Sequence, residues 1–147
     1  MKTIMKRNTR TIAALFTLAL LFVMAGCSKK TYASLEEWYN DNPVTAAIVN
    51  SAISSSTDSG NVSMDIKGNT ITYHIEMDEA IFGLDPEMDA IYKSTLDQAF
   101  SQDEESIKDF IDETADAAGI DASLIIVTYA AYNPGEDTPG YSISFKK

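Results

Sequence analysis

The sequence predicts an α+β domain: an antiparallel four-stranded sheet made of two hairpins, with about three helices packed on one of its faces, in the order α-β-β-α-α-β-β. Three observations predict it. Residues 62–77 alternate apolar and polar side chains on either side of Gly68-Asn69, a dipeptide suited to a two-residue hairpin turn. Residues 86–118 carry apolar side chains at a 3.6-residue period. A second strand pair ends the chain, at 124–132 and 141–146. Three of the four strands alternate cleanly, so one face of the sheet is expected to be wet.

Taken in order, Ser34-Leu35-Glu36-Glu37 opens the domain as a capping box, with Ser34 as N-cap and Glu37 at N3. Leu35, Trp38 and Tyr39 lie on one helical face. Asn42-Pro43 offers a new N-cap with proline at N1, and Val44, Ala47, Ile48, Ser51 and Ala52 continue an apolar, small-residue stripe. One kinked helix or two short ones are expected over 35–53. Ser54 to Gly60 is a polar loop. In the hairpin that follows, a Gly68-Asn69 turn sets Ile66 opposite Ile71, Met64 opposite Tyr73 and Val62 opposite Ile75, so that every apolar residue falls on one face. A slip of one residue would destroy this arrangement.

Residues 78–84 connect without a clear pattern. Asp85-Pro86 then reads as N-cap and N1, and Met88, Ile91, Tyr92, Leu96, Ala99 and Phe100 form the stripe of a helix over 86–100. Ser101-Gln102-Asp103-Glu104 reads as a second capping box, before a helix over 102–118 whose stripe is Ile107, Phe110, Ile111, Thr114, Ala115 and Ala118. Gly119 suits the left-handed residue that ends it. Glu104, Lys108 and Asp112, spaced four apart, support its exposed face. Leu124 to Tyr132 reads as a buried strand. Asn133 to Gly140 is a loop with two prolines and two glycines. Tyr141, Ile143 and Phe145 alternate with Ser142, Ser144 and Lys146 in the last strand.

Ahead of this domain stands a targeting segment. Lys2, Lys6, Arg7 and Arg10 precede an apolar run from Ile12 to Val23, and small residues lead to Cys27, the only cysteine. A basic start, a short apolar stretch and small residues before a cut mark a secretory signal. The run is shorter than the roughly 20 residues of a membrane span. Val23-Met24-Ala25-Gly26-Cys27 resembles the lipobox of bacterial lipoprotein signal peptides, with Met24 in place of the usual Leu. The resemblance implies that residues 1–26 are a lipoprotein signal peptide and that Cys27 is lipidated; a plain signal peptide or membrane anchor with a chance cysteine is the alternative. Residues 27–33 are then the lipidated cysteine and a short tether, and 34–147 a single domain. At about 3.5 Å per residue, the tether starts the folded part within about 20 Å of the lipid. Lys29 and Lys30 suit anionic headgroups, at roughly 1 kcal/mol each, or are merely solvated.

Without residues 1–26 the chain keeps 121 of its 147 residues, enough for one core without disulfide or metal. It also keeps 7 of its 11 basic residues against all 22 acids, a net charge of about −15. Such acidity excludes nucleic acid as a partner and disfavours wide contact of the whole surface with anionic lipid.

No catalytic constellation stands out. Asp85, Glu87 and Asp89 begin like a calcium loop, but Ala90 stands where Gly is required and Leu96 where Glu is required; acids at a helix start account for them. His74, the single histidine, has neither a second His nor a free Cys to join it in a metal site, and reads as a solvated strand residue opposite Ser63 and near Glu76. No Gly-rich phosphate loop and no Gly-x-Ser-x-Gly elbow is present. No metal or other cofactor is expected.

Ser34-Leu35-Glu36-Glu37-Trp38-Tyr39-Asn40-Asp41-Asn42-Pro43, the Lys67-Gly68-Asn69-Thr70 hairpin, the paired acidic helices and the terminal strand pair resemble a family of small lipoproteins from Gram-positive bacteria, catalogued as a domain of unknown function. The resemblance implies an anchored domain on the extracytoplasmic face of the cell membrane and supplies no catalytic residues. The expected function is therefore a non-enzymatic binding module for a protein, peptide or glycan at the envelope. A small-ligand carrier, with an apolar pocket between sheet and helices, is the alternative, and a hydrolase using paired carboxylates ranks third. The candidate binding residues are Trp38, Tyr39, Tyr73 and His74, with Tyr92 joining them if the pocket exists. Trp38, by its spacing, also reads as core.

Overall fold

The computed structural model describes residues 31–56 and 62–147, and only the backbone of residues 54–56. The targeting segment, Cys27 and residues 28–30 of the tether lie outside the described residues, as do residues 57–61; of the expected polar loop, residues 54–56 instead continue a helix. The chain forms α1 (Leu35–Asp41) and α2 (Pro43–Ser56), the hairpin strands β1 (Val62–Lys67) and β2 (Thr70–Glu76), then α3 (Pro86–Gln102) and α4 (Glu104–Ala118). A turn of 3-10 helix (Ala122–Leu124) leads into β3 (Ile126–Tyr132), and β4 (Tyr141–Lys146) follows. There are thus four α-helices among the described residues where about three were expected. The split falls at Asn42, whose ψ of 69° leaves the helical region, just before a proline that cannot donate a backbone hydrogen bond.

The sheet is mixed, not purely antiparallel. Its strand order is β1-β2-β3-β4, with antiparallel β1–β2 and β3–β4 pairs and a parallel β2–β3 pair at the centre. Parallel strands require a crossover of a dozen or more residues, and the segment holding α3 and α4 is such a crossover. Alternation within each hairpin carries no information on how the hairpins join. Inside the first hairpin the expected register holds: Val62 pairs with Ile75, Met64 with Tyr73 and Ile66 with Ile71.

All helices contribute to one core on one face of the sheet. Ile71, Tyr73 and Ile75 of β2, Val127, Tyr129 and Ala131 of β3 and Phe145 of β4 are buried with Leu35, Trp38, Val49, Phe100, Ile107 and Ile111 from the helices. The Tyr73 and Tyr129 rings stack at 5.2 Å, and Phe100 lies 4.7 Å from Tyr129. Aromatic pairs at such distances add about 0.5–1.5 kcal/mol beyond their burial. Trp38 is fully buried, in keeping with its core reading.

The start of α1 is tied to the first hairpin. Ser34 Oγ accepts from Glu37 N (3.1 Å), as the capping box requires, but Glu37 reaches back to Ala33 N (3.0 Å) and not to Ser34 N. The other free amides of the first turn go to the hairpin: Leu35 N donates to Asn69 Oδ1 (2.9 Å) and Glu36 N to Gly68 O (2.9 Å). Glu36 Oε2 in turn accepts from Gly68 N (2.7 Å). Orphan helix donors are thus satisfied by a turn more than thirty residues away in the chain.

Four local expectations are corrected. α2 packs through Thr45, Val49 and Ile53, while Val44, Ala47, Ile48 and Ser51 of the expected stripe face out. The helix is apolar nearly all round, so periodicity allowed either face. Ser101 lies within α3, and Asp103 caps α4 without a side-chain hydrogen bond, so no second capping box forms. Lys108 pairs with Glu104 (2.8 Å), but Asp112 bonds Lys147 from beyond β4 instead. The third strand begins at Ile126 because Asp121 caps the 3-10 turn before it. Gly119 closes α4 at φ 65°, as expected. Among the described residues no helix is long and apolar enough to cross a membrane.

Candidate functional site

The face of the sheet turned away from the helices is polar, and one end of it is recessed. Strand alternation sends Ser63 and Asp65 of β1, Thr72, His74 and Glu76 of β2, and Thr128 and Tyr132 of β3 to this side. His74 lies at the centre. Its direct partners are Ser63 on β1 and Ala130 on β3, and the small Ala130 leaves room for longer diagonal neighbours. Two of them reach it: Tyr132 Oη is 2.9 Å from Nδ1 and Asp65 Oδ1 is 3.4 Å from Nε2. The His74 and Tyr132 rings are tilted against each other at 5.7 Å. The expectation of a merely solvated histidine is therefore corrected: His74 is half-buried and bridges two strands.

Beside this array is a cleft of about 480 Å³, lined by Val62, Ser63, His74, Glu76, Tyr132, Glu136 and Asp137. Its wall is the loop between β3 and β4, and that loop is held from three sides. Asn133, buried at the end of β3, accepts from Ile81 N (2.9 Å) and Phe82 N (3.0 Å) through Oδ1 and donates to Phe82 O (3.0 Å) through Nδ2. Gly135 N donates to Glu76 Oε2 (3.3 Å). At the far end Gly140 lies so close to Phe82 that an added Cβ would come within 2.3 Å of its ring. The cleft offers carboxylates on two sides, a phenol and an imidazole. Tyr132 Oη, His74 and Asp65 form a hydroxyl–imidazole–carboxylate line, but the hydroxyl is a phenol, the carboxylate stands off at 3.4 Å, and the Gly135 N–H is given to Glu76. Among the described residues no group of three or more His, Cys, Asp or Glu side chains converges as a metal site.

The expected binding residues are not brought together at the cleft, because the aromatic ones share the core. Trp38 and Tyr73 are buried in the core under the helices, Tyr39 and Tyr92 are half-buried against that core, and His74 alone reaches the cleft. Burial raises the hydroxyl pKa of Tyr39, and raises that of Tyr73 further, beyond the usual phenol range. Tyr73 and His74 are chain neighbours in a strand, so they had to face opposite ways. Tyr132 was not singled out from the sequence, and Asn133, Glu136 and Asp137 were read only as part of the 133–140 loop. Tyr132 shares the outward parity of Thr128, which was readable, but its meeting with His74 depends on the parallel β2–β3 pairing. The site gathers elements from both hairpins, from Val62 to the loop at Asp137.

The family model described as Domain of unknown function (DUF4854) matches residues 35–134, from the first residue of α1 to the start of the loop that walls the cleft. No curated protein and no solved structure matches the chain at a significant level.

Proposed function

We propose a function for a chain that belongs to the DUF4854 family: it is a lipid-anchored module on the extracytoplasmic face of the cell membrane, and it binds a protein, peptide or glycan partner without acting on it. The observation that carries the anchor is the Val23–Cys27 sequence at the end of a short apolar run behind four basic residues. A thiolate is the side-chain nucleophile that thioether formation needs, and each acyl CH₂ adds about 0.8 kcal/mol of membrane affinity. The likeness to small Gram-positive lipoproteins points the same way. The binding surface is the polar sheet face with its cleft. It is recessed and polar, it is held by buried contacts from Asn133 and Gly140, and no helix packs across it among the described residues. A carrier with its pocket between sheet and helices is disfavoured, because Trp38, Tyr73, Phe100 and Tyr129 fill that space.

Two substitutions test the two halves of this reading. Cys27→Ser abolishes palmitate labelling and releases or misprocesses the protein; continued labelling refutes the anchor. Charge reversal at both Asp65 and Glu76 to Lys lowers recovery of envelope partners at least about tenfold, the equivalent of ~1.4 kcal/mol, while the circular dichroism spectrum stays unchanged. Unchanged recovery refutes the cleft as the binding surface. A second reading has one observation in its favour: Glu76, Glu136 and Asp137 share the cleft, and hydrolysis by paired carboxylates needs two such groups in one cleft. Glycan turnover that Glu76→Gln abolishes would establish it.

A further inference from the structure

We propose that the exposed face of α2 lies against the lipid surface to which Cys27 tethers the chain, so that the domain rests on the bilayer on its α2 side. The inference rests on the lipid anchor proposed above and adds an orientation and a second membrane contact. In a chain with 22 acidic residues, the fourteen residues of α2 include no charge of either sign. Its inner face is already used in the core, through Thr45, Val49 and Ile53. Its outer face is apolar and open: Val44 is 72% exposed and Ile48 44%. With Pro43, Ala47 and Ser51 these two side chains line a shallow apolar groove of about 560 Å³. Clustered exposed apolar side chains mark contact surfaces, and Val44 and Ile48 share one groove.

Three features commit the occupant to lipid. The first is reach. The tether puts the start of α1 within about 20 Å of the acylated cysteine, α1 adds only about 10 Å at 1.5 Å per residue, and α2 follows after a single residue. The groove is thus among the first surfaces the leash can lay down. The second is charge. A body of net charge about −15 is repelled by anionic headgroups, and the outer face of α2, which carries no charge of either sign, is a side that can approach them. Lys29 and Lys30, next to the lipid, carry the matching positive charge. The third is strength. Two aliphatic side chains, a proline and an alanine are too few to hold a free protein to a membrane, but the anchor makes docking intramolecular and a small apolar face suffices. The cleft lies on the sheet face opposite the helices, so this orientation points it away from the bilayer, toward a partner arriving from outside.

The test uses the full chain, processed and lipidated in the producing cell and reconstituted into vesicles of phosphatidylethanolamine and phosphatidylglycerol. Because lipid caps Cys27, Ala47→Cys is the single labelling site for a fluorophore, and Ser142→Cys on the outer sheet face is the control. Quenching by spin-labelled lipid at position 47 is expected to exceed that at position 142 about threefold or more. Adding Val44→Asp and Ile48→Asp, both at exposed positions, is expected to bring it down to the control. Equal quenching at 47 and 142 overturns the inference, and so does an Ala47→Cys disulfide between two copies with no lipid quenching, which assigns the face to a dimer. Mass spectrometry of the mature N-terminus separates the failures: a lipidated Cys27 with equal quenching defeats the orientation alone, and an unmodified Cys27 defeats the anchor and the orientation together.

Discussion

The β1–β2 and β3–β4 hairpins lie in one sheet and close in opposite ways. The first turns in two residues. Gly68 has φ 58° and Asn69 has no positive φ, so the left-handed residue is the first central position, as in a type II′ turn. The second spends eight residues, Asn133 to Gly140, and is held by partners about fifty positions away: Ile81 and Phe82, which a single buried asparagine ties down. The first turn is specified by its own dipeptide and then serves as a platform for α1. The second loop opens on its own Asn133-Pro134-Gly135-Glu136 turn, with Glu136 N donating to Asn133 O (3.2 Å) and Gly135 at φ 74°, but its place against the sheet is set by the 78–84 connection. Only the second contributes residues to the cleft. A site wall thus stands where the chain is specified at long range, and the stiff local turn lies at the other end of the β1–β2 pair.

Asn133→Ala gives the largest effect. It leaves the amides of Ile81 and Phe82 and the Phe82 carbonyl in buried surroundings without their side-chain partner. Each unsatisfied group costs about 1–3 kcal/mol, so a loss of about 3 kcal/mol or more is expected in urea unfolding of residues 31–147. Asn133→Asp keeps the acceptor for both amides and is expected to lose less. A loss under about 1 kcal/mol for the alanine variant would show that the long loop is not held from the 78–84 connection.

The two glycines sharpen the same contrast, because they are glycines for different reasons. At Gly140 the requirement is space: an added Cβ would sit 2.3–2.5 Å from the base of the Phe82 side chain, and φ is not positive. Gly140→Ala is expected to cost about 2 kcal/mol, within the range for overpacking, and Phe82→Ala in the same chain to relieve part of it. At Gly68 the requirement is φ: a Cβ there would meet nothing within 4 Å. Gly68→Val is expected to cost about 1.5 kcal/mol from the left-handed backbone alone, and Gly68→Asn less. If both glycines responded equally to Ala and to Asn, the distinction between a local and a long-range closure would fail.

What was legible in the sequence follows the same division. The register of β1 and β2, the Asp85-Pro86 helix start, the Gly119 stop and the burial of Trp38 are each written in a few adjacent residues. The parallel β2–β3 pairing was not, because alternation fixes which face a side chain takes and not which strand comes next. The outward face of α2 was misread because Val44-Thr45-Ala46-Ala47-Ile48-Val49 is apolar at almost every position, and a threonine took the buried place that Ile48 was expected to hold. Of the site, His74 was visible as the lone histidine on a polar face, with Ser63 opposite it and Glu76 near it. Tyr132, Glu136 and Asp137 became its neighbours only through the crossover that α3 and α4 complete.

The smallest expected effect concerns the place where the two hairpins meet, the His74–Tyr132 bond. It joins β2 of the locally closed hairpin to β3 of the other, on the outer face, at 2.9 Å. A hydrogen bond of this kind contributes about 0.5–1.5 kcal/mol net. The Asp65 contact adds little, since it is long at 3.4 Å and both side chains are more than a third exposed. His74→Ala is therefore expected to cost about 1 kcal/mol, where a solvated histidine would cost nearly nothing. Tyr132→Phe removes the hydroxyl and keeps the ring, and is expected to cost about the same. The double variant decides the matter. If the bond exists in solution, the two losses overlap and the pair loses about 1 kcal/mol rather than 2. If the losses simply add, His74 and Tyr132 act independently, the two hairpins are coupled by the β2–β3 backbone ladder and the core without help from this pair, and the floor of the cleft is not held by it.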